Sequence, residues 1–292
     1  MRLGFESVGG ICVFTSEWDK HAQKTYAANF GEIPAGDITK IRASDIPKFD
    51  VLLAGFPCQP FSSIGKRQGF KHPTQGTLFG DVVRILEHHH PPAFLLENVV
   101  GLQNHDNGNT LAVIERELTR LGYEYDFQVI DAVRFGVPQH RERIYIVGGL
   151  SRKPGKTVYT WPQGSNRKVG IGKSILTGVT GHSISKHLQE VYIFKEKDGR
   201  PQIIDKDTTI PVKTLVASYH KIQRLTGTFV RDGETGLRLL TADECKAIMG
   251  FPKSFRIPVS RTQMYRQMGN SVAVPVIKAL AKWMITDLEI VN

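Results

Sequence analysis

Apolar and polar positions along the first 150 residues switch repeatedly between two periods. Short aliphatic and β-branched runs at residues 11–15, 51–55, 93–96 and 144–147 read as buried strands. Between them the apolar spacing lengthens to that of a helix, at 19–30, 77–88 and 109–121. Asn109 is the expected N-cap of the third helix and Gly122 its stop. Strand, helix, strand, helix implies parallel strands with crossovers, hence an open α/β sheet. Ligands of such sheets sit outside the carboxyl ends of the strands. From Ser151 to about Leu237 the periodicity fades into Gly, Lys, Thr and Ser, with short β-like runs at 191–194 and 215–218. Helical spacing returns at 241–249, with Thr241 as N-cap, and at 274–288. Three segments follow: 1–150, a smaller and mostly β domain at 151–237, and 238–292 returning to the first.

Composition narrows the class. With 38 Lys+Arg against 28 Asp+Glu, the net charge of +10 favours a polyanionic partner. Hydrophobic residues at 40% and charged residues at 23% describe a globular chain. No apolar run approaches the roughly 18 residues of a spanning helix, and MRLGFESVGG has no signal-peptide core, so a cytoplasmic protein is expected. Cys12, Cys58 and Cys245 lie far apart without a CxxC pair, which argues against a disulfide framework or structural zinc. His88, His89 and His90 are adjacent; neighbouring helical side chains point about 100° apart and do not converge on one ion. No metal is expected.

The residues at strand ends form a chemical set. Glu17, Trp18 and Asp19 follow the first run, and Gly55-Phe56-Pro57-Cys58-Gln59 the second. Glu97 and Asn98 follow the third, and Gln139-His140-Arg141-Glu142-Arg143 leads into the last. A cysteine, two acids and an arginine cluster on one sheet edge argue for an active site. The small, basic loop Ser62-Ser63-Ile64-Gly65-Lys66-Arg67 beside Cys58 reads as a lid with cations for phosphates.

GFPCQPFSSIGKRQGF, ENVVGLQNHDNGNTL, QHRERIYIVGG, RLLTADECKAIMGFP and QMGNSVAVPVI occur in that order. They resemble the successive motifs of bacterial DNA (cytosine-5) methyltransferases, and the likeness runs from residue 3 to near the end of the chain. It is weakest between Ser151 and Lys213, where that family carries its target-recognition region. The resemblance implies a Rossmann-like α/β sheet, S-adenosyl-L-methionine as methyl donor, double-stranded DNA as substrate, a monomeric enzyme and a restriction endonuclease as its functional counterpart. Cytosine C5 is a poor nucleophile until a thiolate adds at C6. Cys58 is the expected thiolate, and Glu97 the proton donor at N3 and N4, its pKa raised in a dry pocket. The resemblance favours Arg143 as the residue orienting Glu97 or the cytosine carbonyl, and Arg141 as a residue close to the nucleophile. The base must leave the stack to be reached, which costs a few kcal/mol. Ser63, Lys66, Arg67 and Thr214 are the expected DNA contacts; Thr214-Leu215 resembles the family's Thr-Leu recognition element.

For the cofactor, Glu17 matches the acid that holds a ribose in nucleotide-binding sheets, and Trp18 is placed to stack on adenine. By resemblance Asp37, beside Ile38, meets the adenine amine, while Pro57, Leu78, Asn270 and Val272 match further contacts. Two departures stand out. The family opens with a strand and the turn Asp-Leu-Phe-Ala-Gly-x-Gly-Gly, whereas Met1-Arg2-Leu3-Gly4-Phe5-Glu6 resembles the helix after that turn. A missing central strand, weak cofactor binding and low stability are therefore expected of the chain as written. Gln75 stands where the family usually has arginine. The alternatives are a tRNA cytosine-5 methyltransferase, since one RNA-modifying branch shares these motifs, and a DNA-binding relic without donor site.

Overall fold

The computed structural model describes residues 1–57, 77–150, 159–167 and 169–287. Its centre is a four-stranded sheet of β1 (Val51–Gly55), β2 (Ala93–Val99), β3 (Tyr123–Asp131) and β4 (Glu142–Leu150), in the order β1-β2-β4-β3. β1 and β2 are parallel, joined by a helical crossover as parallel neighbours require. β4 runs antiparallel to both β2 and β3. The all-parallel expectation therefore holds only for the first pair. β3 was not anticipated, although Tyr123, Tyr125, Phe127 and Val129 alternate with Glu124, Asp126 and Gln128 as a half-exposed strand does.

The helices are α1 (Arg2–Glu6), α2 (Lys20–Phe30), α3 (Leu78–His89), α4 (Asn109–Arg120), α5 (Ala242–Met249), α6 (Arg261–Asn270) and α7 (Val274–Asp287). Asp19, Thr77 and Thr241 cap α2, α3 and α5 with their side chains, Thr241 in a full capping box with Glu244. α4 is capped differently from expectation: Gly108, at φ 86°, is the N-cap and Asn109 already the first helical residue. Gly122, at φ 82°, ends it in the left-handed conformation only glycine adopts freely.

Both sheet faces are covered. Phe94, Leu96, Ile144 and Ile146 meet Val83 and Leu86 of α3 and Ile114 and Leu118 of α4. On the other face Leu95, Tyr145 and Val147 meet Ile277, Leu280, Ala281 and Met284 of α7. Each fully buried side chain of this size contributes about 1.5–3 kcal/mol, and β2 is apolar throughout Ala93–Leu96 because it faces helices on both sides. The last helix thus packs on the first layer, whereas the two helices before it pack with the segment after β4. No described helix is long and apolar enough to cross a membrane.

Residues 11–15 do not form the expected strand: Ile11 is 87% exposed, and the neighbourhood holds only the single bridge Ser16–Ala35. A strand exists through its ladder, and without a partner its backbone groups remain with water. β1 correspondingly ends the sheet; Val51, Leu52, Leu53 and Ala54 are half-buried, and the outer edge faces no other described strand.

The segment after β4 has less strand than expected. Among its described residues the only strands are β5 (Gln202–Ile204) and β6 (Thr228–Val230), a short parallel pair. Residues 191–193 lie in a one-turn π-helix, Gln189–Ile193, and 215–218 form no strand. Packing replaces strand pairing here. Ile171, Ile184, Phe229, Leu237 and Leu239 share one apolar cluster with Cys245 and Ile248 of α5 and Tyr265 of α6. Within it the fully buried Arg238 reaches both carboxylate oxygens of Glu244 at 2.8 Å and Asp232 at 2.9 Å.

Candidate active site

Glu97 lies near the carboxyl end of β2, in register with Gly55 of β1 and Tyr145 of β4. Arg143 is two residues from Tyr145 along β4 and so points to the same sheet face, diagonal to Glu97. Its Nε stands 3.1 Å from Glu97 Oε1, with both side chains largely buried. Burial pushes the Glu97 carboxyl above the usual range; Arg143 and Arg141 pull the other way without cancelling it. A carboxyl so placed holds its proton more readily than one in water, as a proton donor must.

The neighbouring β1 end is fixed by Asn98. Its Nδ2 donates to the Phe56 carbonyl at 2.9 Å, and its Oδ1 accepts from the Val99 N–H. Pro57 follows, exposed. Cys58 comes next in sequence and lies outside the described residues, as do Ser63, Lys66, Arg67 and Gln75.

The segment before β4 alternates: Gln139 and Arg141 are buried, His140 and Glu142 exposed. Arg141 donates to the carbonyls of Leu215, at 3.1 Å, Gly269, at 2.9 Å, and Ser271. Burial first, then Arg143, pushes its pKa down to about 10, which leaves it charged at neutral pH. Arg141 is thus a brace between the sheet, the Thr214 segment and the end of α6. Gln139 does similar work, accepting from Leu215 N at 2.7 Å and donating to the Ile248 carbonyl at 2.9 Å. Gly269 permits the fit, because a Cβ there would run into the backbone of Val216 and Ala217. In front of Arg143 opens a cleft of about 480 Å³ lined by Val100, Asp131, His140, Glu142, Arg143 and Thr214.

A second group gathers around the Ser16–Ala35 bridge. Glu17 N donates to the Ala35 carbonyl at 3.1 Å, which sets Glu17 and Trp18 beside Asp37 and Ile38. Trp18 is 76% exposed. Asp37 caps the turn Ile38–Lys40, and hydrogen bonds from the Thr39 hydroxyl and N–H hold its carboxyl below the usual range. Arg84 of α3 donates to the carbonyls of Ile38 and Ile41, tying this turn to the helix that begins at Leu78. An exposed indole face with two carboxylates beside it is a donor set that fits a nucleoside: ring for base, acids for hydroxyls and amine. Val272, buried, and Asn270, exposed, belong instead to the segment held by Arg141.

Asn98 was expected at the strand end only as the residue after Glu97, and Asp131 was not expected there at all. Asn98 stands beside Glu97 in the motif, so its signal was adjacent; Asp131 enters only when β3 pairs with β4 and brings it opposite Glu142. The family model for C-5 cytosine-specific DNA methylases matches residues 1–286. The chain belongs to this family. The Type II methyltransferase M.MspI of Moraxella sp is 58% identical over 292 residues, covering 100% of this chain and 69% of that relative. M.BsuFI of Bacillus subtilis is 60% identical over 282 residues, covering 96% and 68%. In fold, the DNMT2 of Spodoptera frugiperda matches with a TM-score of 0.78 over 97% of this chain and 96% of that one, at 23% identity. In this methylase, then, the sheet edge holding Glu97 and Arg143 is the end of the fold at which ligands of such sheets bind.

Proposed function

We propose that this methylase modifies C5 of one cytosine within a specific sequence of double-stranded DNA, with Cys58 as nucleophile and Glu97 as the acid. The thiolate of Cys58 adds to C6 while Glu97 gives a proton to N3, so that the electrons of the opened double bond collect at C5. Arg143 holds the Glu97 carboxyl toward the ring. S-adenosyl-L-methionine, when bound, supplies an electrophilic methyl group; Trp18, Glu17 and Asp37 would take its nucleoside end. Loss of the C5 proton to water, with return of the N3 proton to Glu97, then expels Cys58 as a thiolate and restores the ring. A partnership with a restriction endonuclease follows the Type II naming of the two relatives.

The observation that carries this reading is the buried Glu97–Arg143 pair one strand away from the turn that leads into Cys58. A duplex with 5-fluorocytosine at the target tests it, because fluorine blocks the final elimination. The wild type is expected to form a covalent complex and Cys58→Ser none, since a hydroxyl is a far weaker nucleophile at neutral pH. A covalent complex with the serine variant overturns the assignment. Methyl transfer to duplex DNA against tRNA decides the substrate.

A further inference from the structure

His140 faces the cleft in a way that bracing alone does not require. Its Nδ1 lies 2.8 Å from Asp131 Oδ2, and the other oxygen of Asp131 accepts the N–H of Arg141, at 2.9 Å, and of Val133, at 3.2 Å. The carboxylate is therefore fixed before it fixes the ring. The backbone of His140 is clamped as well: its N–H donates to the Val212 carbonyl at 2.9 Å, and its carbonyl accepts the Thr214 hydroxyl at 2.7 Å. Yet the side chain is 46% exposed, and its Nε2 has no hydrogen bond among the described residues. A solvent-facing ion pair is worth little in stability, about 0–1 kcal/mol. What the arrangement does supply is an imidazole held in one orientation at the cleft mouth.

We propose that His140, oriented by Asp131, binds a backbone phosphate of the DNA strand whose base enters the cleft. The inference rests on the DNA substrate proposed above. With the Nδ1 proton directed at Asp131, Nε2 is an acceptor in the neutral ring and a donor in the imidazolium. Only the imidazolium suits a phosphate oxygen, and a charge-assisted bond to an anion is stronger and more directional than a neutral one. The charged and titratable groups around the ring are Asp131 at the end of β3, and Glu142 and Arg143 on β4. The segment packed against it contributes Thr214, and Lys213 there directs its Nζ to the Leu225 carbonyl. Arg143 is engaged with Glu97. Among the described residues lining this cleft, His140 thus presents an imidazole nitrogen without a hydrogen bond, on a ring held in place by Asp131.

The test is steady-state methylation of a duplex by the full chain, with wild type, His140→Gln, His140→Arg and Asp131→Asn compared at equal melting temperature. His140→Gln is expected to raise KM for DNA about tenfold at unchanged kcat, and to reduce the slope of log KM against log salt by about one phosphate contact. His140→Arg, which keeps a cation at the same place, should retain the low wild-type KM. Asp131→Asn should resemble His140→Gln. A scan of duplexes with single neutral methylphosphonates should find one position beside the target cytosine where wild type and His140→Gln become equal. Unchanged KM and salt slope in His140→Gln, or no such position, overturn the phosphate contact while wild-type methylation of DNA stands. Failure of the wild type itself to methylate DNA overturns the substrate reading instead.

Discussion

Arg141 and Leu215, 74 residues apart, are joined by a buried hydrogen bond from the guanidinium to the backbone carbonyl. The same guanidinium reaches Gly269 and Ser271, so one side chain positions the β4 entry against two other segments. Arg141→Ala would leave three carbonyls without their donor, and each unmade buried bond costs about 1–3 kcal/mol. Unfolding free energy should fall by at least about 3 kcal/mol in urea titration. A loss under about 1 kcal/mol would mean that water replaces the arginine and the brace is not structural.

Glu97 links activity to pH. Its folded pKa lies above the unfolded value because burial disfavours the charge. Between the two values the native state binds more protons, so stability falls as pH rises from about 4.3, the ordinary glutamate value, through the folded pKa. Glu97→Gln should abolish that decline in melting temperature, and should lower kcat for methyl transfer by roughly 10²–10⁴-fold. A variant with the wild-type pH profile of stability would show that Glu97 is solvated.

The pair Arg238–Glu244 is buried at both ends, and Glu244 also accepts the N–H groups of Leu176 and Thr241. Breaking such a pair from one side costs about 3–5 kcal/mol, so Arg238→Met should unfold in urea at a much lower midpoint. Asp232 behaves differently. Desolvation tends to raise its pKa, but the bond from Arg238 and three backbone N–H groups hold it well below the carboxylate range. A depressed pKa stabilises above the unfolded value and is lost as pH falls through the folded one. Asp232→Asn should therefore flatten the acid side of the stability curve.

Exchange of residues 151–237 for the matching stretch of a relative, with Thr214 and Leu215 kept, should alter the sequence methylated and spare the chemistry. Methylation mapping of a plasmid reads the outcome. An active chimera with unchanged target choice would place recognition elsewhere.

The parts of the molecule governed by local patterns could be read from the chain. The cap Thr241 and the apolar stripe of the last helix are of this kind, and Glu97 and Arg143 stand inside contiguous motifs. What escaped depends on partners distant in sequence. Residues 11–15 have strand composition, but no described strand lies beside them to complete a ladder; only the Thr15 carbonyl meets the Ala35 N–H. Gln139 and Arg141 read as charged or polar lead-in to β4, and only the fold supplies the carbonyls of Leu215, Ile248 and Gly269 that explain their burial. Arg238 has the same character: its position says surface charge, and Glu244 makes it core.

The sheet border at Val51–Gly55 bears on how the protein behaves in bulk. It combines aliphatic side chains with a row of main-chain donors and acceptors that no other described strand meets. Such a border is a template for any extended peptide, a second molecule of the protein included. Samples of residues 1–292 alone should accordingly show attractive second virial coefficients and concentration-dependent light scattering, even though the net charge of +10 disperses them. Leu52→Lys, placed on that half-buried border, should turn the coefficient repulsive; handling, shelf life and crystal growth would then be governed by the same five-residue strand that leads toward Cys58.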